Sequence, residues 1–286
     1  MQIAQRFDGE IVGADARQVY RGLDIGTGKA GASELQGIVH HLLDVAAPDE
    51  SFTVTQYVAL AMAAIAGIYR RGKLPILAGG TGFYIHAVID GLLPPEVAPQ
   101  PELRAELERR WQNDRDELLR ELAVRDPITA ERIDRQNPRR VVRALEVILT
   151  AGRPFSEQQR LQPLPVRTLL LALTADRPTL HRLANQRIDA MLAAGLAEEV
   201  RRLLNDGYDF GLPAFTAVGY RELAAYLGGS GNLETVRQRM QRATHAYQRR
   251  QLTWLRADPR WQWLDITGQD QMMQARGLVE AWLASP

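Results

Sequence analysis

Cysteine is absent from the 286-residue sequence. Its absence excludes disulfide bonds, cysteine zinc sites and thiol catalysis. Long apolar runs are absent too, because the longest, residues 58–69, is too short to cross a bilayer and predicts a buried helix. The N-terminal segment lacks the apolar core of a signal peptide, so we expect no membrane partner. The five histidines are scattered apart from His40 and His41, a spacing that predicts no metal cluster.

Lysine is also scarce. Lys29 and Lys73 are the only lysines, so nearly all basic residues are arginines. Arginine is the better fork for phosphate, but codon usage would produce the same bias, and composition alone does not separate the two explanations. The formal net charge of +1 provides no overall field that would attract nucleic acid.

The apolar pattern is typical of an α/β fold. Ile11 with Val12, Leu74–Ala78 and residues 167–173 are short apolar segments, and each predicts a buried strand. Helical patterns are predicted at residues 54–71, 83–89, 180–192 and 197–205. Strands that alternate with helices in this way predict a mostly parallel sheet flanked by helices.

A proline-rich stretch at residues 91–101 marks a domain edge. The charged segment that follows, residues 102–135, carries leucines at helical spacing. We therefore predict an inserted all-helical domain at residues 95–137. Residues 1–94 and 138–286 would form the α/β core together with a C-terminal helical part.

Polar side chains are dense directly after the first predicted strand. Asp15, Arg17, Gln18 and Tyr20 fall within six residues of one another. Ligands of open α/β sheets bind beyond the carboxyl ends of the strands, which makes Asp15 a candidate functional group. An aspartate at this position would equally serve to cap the next turn, and the residues alone leave both interpretations open.

Two further segments allow more than one interpretation. The turn at residues 79–82 follows a strand and precedes a helix, an arrangement that either presents backbone N–H groups to an anion or simply reverses the chain. Residues 237–260 contain seven arginines and one acid, Asp258, with Tyr247 and Trp254 between them. This composition suits a polyanion with unstacked bases, or a basic helix that packs on a sheet with Trp254 in the core.

Five motifs in order resemble the tRNA dimethylallyltransferase family. Residues 15–27, DARQVYRGLDIGT, resemble its D-S-x-Q-x-Y-x-x-x-D-I-G-T segment. Residues 79–84, GGTGFY, resemble its G-G-T-x-x-Y segment. Similar matches are found at residues 139–146 (RRVVRALE), 217–221 (AVGYR) and 249–256 (RRQLTWLR). Each motif alone is weak, whereas five in the same order covering nearly the whole chain are specific.

The resemblance implies a P-loop NTPase-like sheet and a prenyl transfer. Members of the family move a dimethylallyl group from dimethylallyl diphosphate to N6 of the adenine 3′ to the anticodon of tRNA. Asp15 matches the catalytic aspartate, and Gln18 is placed to read the edge of the flipped adenine. The resemblance also implies Mg²⁺, nucleotide binding, an anticodon stem-loop partner, a monomer and a cytoplasmic location. The matched tRNA-contacting positions are Ala16, Arg17, Gln18, Thr81, Arg104, Arg139, Arg140, Val141, Val142, Arg143, Thr216, Gly219, Tyr220, Arg221, Arg249, Arg250, Gln251, Thr253, Trp254 and Arg256.

The sequence departs from the family pattern in two places. Ala16 replaces the serine that follows the catalytic aspartate, which removes a hydroxyl from the site. The family also begins with a strand and a Walker A loop, G-x-T-x-x-G-K-S/T, and nothing before Glu10 matches it. We therefore expect that Met1 is a truncation or a misassigned start and that the activity of the chain as written is impaired. A non-catalytic tRNA-binding remnant and a small-nucleotide isopentenyltransferase or kinase remain as alternatives.

Overall fold

The computed structural model describes residues 1–93, 95–158, 160–161 and 166–285. Its strands are β1 Gly9–Gly13, β2 His40–His41, β3 Leu74–Ala78, β4 Leu92–Leu93, β5 Arg160–Leu161, β6 Leu171–Thr174 and β7 Gln262–Asp265. Its helices are α1 Gln2–Arg6, α2 Ala32–Leu35, α3 Val54–Arg70, α4 Gly82–Ile89, α5 Pro101–Asn113, α6 Arg115–Arg125, α7 Pro127–Arg132, α8 Pro138–Ala151, α9 Phe155–Gln158, α10 Arg177–Ala193, α11 Leu196–Asn205, α12 Ala224–Leu227, α13 Leu233–Arg256 and α14 Gln271–Ala284. Two 3₁₀ turns, Ala214–Thr216 and Arg221–Leu223, precede α12. Within these described residues, no helix combines the length and the apolar character that a bilayer crossing requires.

The protein consists of two compact units. The large unit is Met1–His86 with Val166–Pro286, and the small unit is Ala87–Pro165. These boundaries differ from the predicted insertion at residues 95–137, because α8 belongs to the small unit. Its apolar face packs in one buried cluster with side chains of α5 and α6, and this face was assigned to the core from its sequence. The buried members of that cluster are Leu107, Leu118, Leu122, Ala130, Val141, Val142, Ala144, Leu145 and Ile148.

The large unit contains two parallel groups of strands, as the α/β prediction requires. The first has the order β2-β1-β3, with Ile11 opposite His40 on one side and Ile76 on the other. The second pairs β6 with β7, and Leu171 lies opposite Gln262. The predicted buried strand at Ile11 and Val12 is confirmed, since their exposed fractions are 7% and 0%. Strand β3 matches its predicted bounds.

Strand β6 begins later than the predicted residues 167–173. Arg167 instead donates a hydrogen bond to the Trp282 carbonyl at 3.3 Å, and its guanidinium lies 5.4 Å from the Trp282 ring centre. Partner geometry of this kind is not encoded in local hydrophobicity, so the apolar run alone set the predicted start too early.

Helix α3 packs against β1 and β3 and begins where the sequence predicts. Thr53 caps it by accepting a hydrogen bond from the Gln56 N–H at 3.2 Å, and the Gln56 side-chain oxygen accepts one from the Thr53 N–H at 2.8 Å. This reciprocal pair satisfies two backbone donors that the first turn would otherwise leave free. Helix α3 therefore covers one face of β1 and β3, the two strands that lead into the candidate site.

A separate apolar cluster of the large unit anchors the segment after β1. Val19, Tyr20 and Leu23 are buried in it, together with Leu196 of α11 and Met240 of α13. The polar residues that follow β1 therefore alternate with apolar side chains that hold the same segment to α11 and α13.

Candidate active site

Asp15 lies directly beyond the carboxyl end of β1. Its Oδ1 accepts hydrogen bonds from the Arg17 N–H at 2.7 Å and the Gln18 N–H at 3.3 Å. Oδ1 therefore caps the turn, one of the two roles that the sequence left open. Its second oxygen, Oδ2, accepts no hydrogen bond from any group in the described part of the chain, and it is the oxygen available to a ligand.

The glycine turn after β3 is tied to the residues on both sides of Asp15. The Thr81 N–H donates to the Ala14 carbonyl at 3.0 Å, and the Thr81 hydroxyl accepts from the Ala16 N–H at 2.9 Å. A Cβ at Gly79 would lie 2.2 Å from the Ala14 carbonyl oxygen, so only glycine allows this approach. Ala16 therefore takes part in this contact through its backbone N–H, and Thr81 through its hydroxyl.

Helix α13 supports the same turn. The Tyr247 hydroxyl and the Gln251 amide both donate to the Gly80 carbonyl, each at 2.9 Å. A Cβ at Gly82 would meet the Trp254 ring at 2.4 Å, which explains the glycine there. Burial, and next the negative charge of Asp15, raise the pKa of Tyr247, so its phenol stays neutral.

Several residues that are predicted to contact tRNA on α13 have protein partners instead. Gln251 and Trp254 face the glycine turn, and Trp254 also makes edge contacts with His86 and Trp261. The Thr253 hydroxyl donates to the Arg249 carbonyl at 2.9 Å within the helix. The structure therefore favours the packing interpretation of Trp254. Tyr247 was not among the predicted site residues. Its position among the arginines of residues 237–260 was the sequence feature that could have identified it.

An aromatic pair adjoins the end of β1. Tyr57 of α3 stacks on Tyr84 of α4 with ring centres 3.9 Å apart, and the Tyr57 hydroxyl donates to the Gly13 carbonyl at 3.0 Å. Burial raises the pKa of Tyr84 to about 12, with a smaller contribution from Tyr20. Neither phenol therefore ionises near neutral pH. The stacked rings pack beside the backbone that precedes Asp15.

Gln18 faces the loop at residues 24–28. Its Nε2 donates to the carbonyls of Thr27 and Gly28 at 3.1 and 3.3 Å. The loop is held from the other side by Lys29, whose Nζ lies 3.0 Å from the Tyr20 carbonyl and 2.6 Å from Asp24. Lys29 also binds Asp44, and its side chain is only 6% exposed, so it is a structural cation rather than a free phosphate ligand.

The segment around the 217–221 motif is mostly structural. Tyr220 is predicted to contact tRNA, but its ring is fully buried and its hydroxyl donates to Glu199 at 2.6 Å. Gly219 has a φ of +107°, and a Cβ there would meet Leu196. Thr216 and Arg221 of this segment donate to the backbone carbonyls of Pro213 and Phe210. Arg17, which follows β1, also donates to the Pro213 carbonyl.

The small unit gathers its predicted contacts around one carboxylate. Glu146 is fully buried and accepts hydrogen bonds from Arg104 at 2.8 Å, Arg143 at 2.9 Å and the Gln100 N–H at 2.8 Å. Burial alone would raise the pKa of Glu146, but Arg104, the Gln100 N–H and Arg143 hold it below its usual range. Val141 and Val142 are predicted to contact tRNA but are buried in the apolar cluster of α8.

Five predicted arginines remain available to a polyanion. Arg139 and Arg140 at the start of α8 are exposed, as are Arg249, Arg250 and Arg256 near the end of α13. None of the five has a carboxylate partner among the residues that the structure describes. The Arg250 guanidinium lies 5.8 Å from the Tyr247 ring centre.

The described residues do not provide a ligand set for the predicted Mg²⁺. No group of three histidine, aspartate or glutamate side chains comes together in that part of the chain. Asp24 and Asp44, the acids nearest to the Gln18 loop, are engaged by Lys29. Mg²⁺ commonly takes one or two carboxylates and leaves the other positions to phosphates and water, so Asp15 alone does not define a metal site.

A parallel sheet with a free carboxylate oxygen beyond β1, and exposed arginines on α13, is typical of an α/β protein that binds a ligand at the carboxyl end of its sheet. Comparison with known proteins identifies the family. The profile of the IPP transferase family matches residues 18–258, and the chain belongs to this family of prenyltransferases.

Similar proteins cover almost the whole chain. The tRNA dimethylallyltransferase of Roseiflexus sp. strain RS-1 is 44% identical over 99% of this chain and 93% of its own length. That of Thermomicrobium roseum is 44% identical over 98% of this chain and 85% of its own length.

Solved structures are similar as well. The tRNA isopentenylpyrophosphate transferase of Bacillus halodurans gives a TM-score of 0.71 at 34% identity and covers 98% of this chain and 90% of its own. A eukaryotic dimethylallyltransferase acting on tRNA gives a TM-score of 0.82 at 26% identity, with 99% and 75% covered. The fold prediction is confirmed by these neighbours.

Proposed function

We propose that this chain transfers a dimethylallyl group from dimethylallyl diphosphate to N6 of the adenine 3′ to the anticodon of tRNA. The observation that carries the proposal is the free Oδ2 of Asp15, held beyond β1 by two backbone hydrogen bonds to Oδ1. The names of the relatives support the substrate class, since they are called tRNA dimethylallyltransferases.

The reaction needs a base at the attacking amine. The N6 nitrogen forms a bond to the allylic carbon, while the bond from that carbon to the diphosphate oxygen breaks and the electron pair leaves with diphosphate. The nitrogen must then lose a proton, and Asp15 Oδ2 is the acceptor that the site offers. The Oδ1 hydrogen bonds fix the carboxylate, so the base needs no reorganisation when the amine arrives.

The adenine must leave its stack to reach Asp15. A single-stranded anticodon loop costs less to open than a duplex, which suits a base-flipping enzyme. The exposed arginines Arg249, Arg250 and Arg256 supply phosphate contacts in the same unit as Asp15. A small-nucleotide transferase or kinase would have no use for this basic helix end. The predictions of Mg²⁺, of a monomer, of a cytoplasmic location and of impaired activity without a Walker A loop stay predictions.

The test is single-turnover transfer of a labelled dimethylallyl group to an anticodon stem-loop RNA. We expect Asp15→Asn to lower the rate by about 10²-fold or more, the usual scale for a general base, with RNA affinity changed only a few-fold. The matched control is Asp49→Asn, because Asp49 is an exposed aspartate outside the site, and its rate should equal that of the unchanged protein.

Three outcomes would contradict the proposal. An unchanged rate in Asp15→Asn removes Asp15 from the role of base. Intact RNA binding without any transfer by the unchanged protein favours the non-catalytic tRNA-binding alternative. Transfer to free adenosine or adenine nucleotides in preference to the stem-loop would favour the small-nucleotide alternative.

A further inference from the structure

A buried carboxylate outside the predicted site holds the loop that faces Gln18. Glu199 of α11 is 3% exposed. Its Oε2 accepts the N–H groups of Asp24 at 3.0 Å and Ile25 at 2.7 Å. Its Oε1 accepts the Gly26 N–H at 3.2 Å and the Tyr220 hydroxyl at 2.6 Å. Three successive backbone donors therefore converge on one side chain, which fixes the course of the chain through these residues.

The contacts around this carboxylate leave little freedom to the loop. A Cβ at Gly26 would lie 2.5 Å from the Tyr220 ring, so the loop passes directly over the buried phenol. Burial and then the Glu199 charge raise the pKa of Tyr220, so its hydroxyl remains a donor to Glu199. Glu199 therefore accepts four hydrogen bonds, one from Tyr220 and three from the backbone of residues 24–26, and these contacts join the two side chains to the loop in one network.

The next two residues of the same loop determine the orientation of the Gln18 amide. The carbonyls of Thr27 and Gly28 both lie within hydrogen-bond distance of one end of that amide, at 3.1 and 3.3 Å. A carbonyl can only accept, so the end facing them must be the NH₂ group. Both amide hydrogens are then used, and Oε1 is the remaining polar atom. No group in the described residues donates to Oε1.

The geometry points to Glu199 as a positioning residue that makes Gln18 an acceptor-only probe of the target base. An exocyclic amine such as N6 of adenine carries two hydrogens. One can meet Asp15 Oδ2, and the other can meet Gln18 Oε1. A base with a keto oxygen in place of the amine would bring that oxygen against Gln18 Oε1, and two acceptors cannot form a hydrogen bond. Such a base is therefore rejected. This inference rests on the proposed function, and it adds how the site distinguishes an amine from a keto group.

The experiment measures the ratio of two affinities rather than a rate. Two anticodon stem-loop RNAs differ only in adenine or hypoxanthine at the target position, and fluorescence anisotropy gives the affinity of each. We expect the unchanged protein to prefer adenine by about tenfold or more, the scale of one mismatched hydrogen bond. Glu199→Gln places an NH₂ group opposite the backbone N–H donors, so the loop at residues 24–28 loses hydrogen bonds. The preference for adenine should then fall to about threefold or less.

Gln18→Ala and a double variant show whether Glu199 acts through Gln18. Gln18→Ala should lose the preference, and adding Glu199→Gln to it should change the ratio no further, because the two residues act in one chain of contacts. The matched control is Glu198→Gln. Glu198 is the neighbouring residue, is exposed and forms an ion pair with Arg201 alone among the residues described, at 3.6 Å, so its change should leave the ratio intact.

Tyr220→Phe provides a second variant if Glu199→Gln does not fold. It removes one of the four hydrogen bonds to Glu199 and should lower the preference by a smaller factor. An unchanged ratio in both folded variants, or an equal loss of affinity for both RNAs, overturns the inference. A preserved adenine preference without any dimethylallyl transfer defeats the proposed function alone. Failure of the unchanged protein to bind either RNA, or to tell the two apart, overturns the inference as well.

Discussion

Glu146 in the small unit and Glu199 in the large unit are both buried carboxylates on helices, and they have different partners. Glu146 is 0% exposed and binds two guanidinium groups and one backbone N–H. Glu199 is 3% exposed and binds three backbone N–H groups and a phenol. The first is compensated by full positive charges, whereas the second is compensated by dipoles alone.

The difference shows what each carboxylate holds in place. The side chains of Arg104 and Arg143 remain 40% and 31% exposed, so Glu146 binds one side of each guanidinium and leaves the other side exposed to solvent. Glu199 fixes no exposed charge, and instead sets the path of the loop at residues 24–28. One unit therefore uses its buried glutamate to present cations, and the other uses it to shape a backbone.

We expect the largest difference between Glu146 and Glu199 in how much the loss of each carboxylate lowers the free energy of unfolding. Glu146→Gln leaves Arg104 and Arg143 without a compensating charge and should cost about 2–3 kcal/mol, less than a fully buried pair because both arginines reach water. Each Glu199 oxygen accepts two hydrogen bonds, so Glu199→Gln leaves two donors without their acceptor. It should cost about 1–2 kcal/mol, because no ion is left unpaired. Denaturant unfolding gives the totals. Hydrogen exchange should rise at α5 and α8 in the first variant and at residues 23–29 in the second.

Glu108→Gln is the control for this comparison, because Glu108 is an exposed glutamate on α5 without a recorded ion pair in the described chain. Its stability should stay within about 0.5 kcal/mol of the unchanged protein. Equal costs for Glu146→Gln and Glu199→Gln, or exchange that rises in the same segments for both, would remove the distinction between charge and dipole compensation.

The next effect concerns pH and uses a third buried glutamate. Glu10 on β1 binds Arg71 at 2.6 Å and His41 at 2.7 Å, and hydrogen bonds from Arg71 and then His41 lower its pKa from 4.5 to about 2. A carboxyl whose folded pKa is lowered stabilises the fold above its ordinary pKa, and this contribution is lost as pH falls toward the folded value. Unfolding midpoints of the unchanged protein and Glu10→Gln should therefore differ more at pH 6 than at pH 3. A gap that is constant or wider at pH 3 would contradict this assignment.

We expect the smallest effect in RNA binding, where arginines without a carboxylate partner differ from arginines that have one. Arg249, Arg250 and Arg256 have no carboxylate partner in the described residues, unlike Arg104 and Arg143. Replacing any one of the three by Ala should weaken stem-loop binding several-fold and reduce the slope of log affinity against log salt by about 0.7–0.9. Arg276→Ala on the exposed side of α14 is the control and should change neither quantity. Unaltered slopes in all three tail variants would make the end of α13 structural.

The strands and the outline of the site were predictable, and their partners were not. Apolar runs at Ile11 and at Leu74–Ala78 identified β1 and β3, and parallel pairing of these strands brings Asp15 next to Thr81. The same reasoning did not foresee that Tyr220 is buried or that α8 packs with α5 and α6, because a motif does not show which side of a residue is covered. Glu199 and Tyr247 were missed, since each acts through a contact with a distant segment.

The sequence by itself determined the family, the parallel strands and the identity of the candidate base. Local apolar periodicity and motif order carry this information, because they depend on residues that are near one another in the chain. Only the tertiary structure decided which arginines are paired and what holds the loop that orients the Gln18 amide. Those properties depend on hydrogen bonds between residues as far apart as Asp24 and Glu199, and a linear pattern contains no record of their distance or direction.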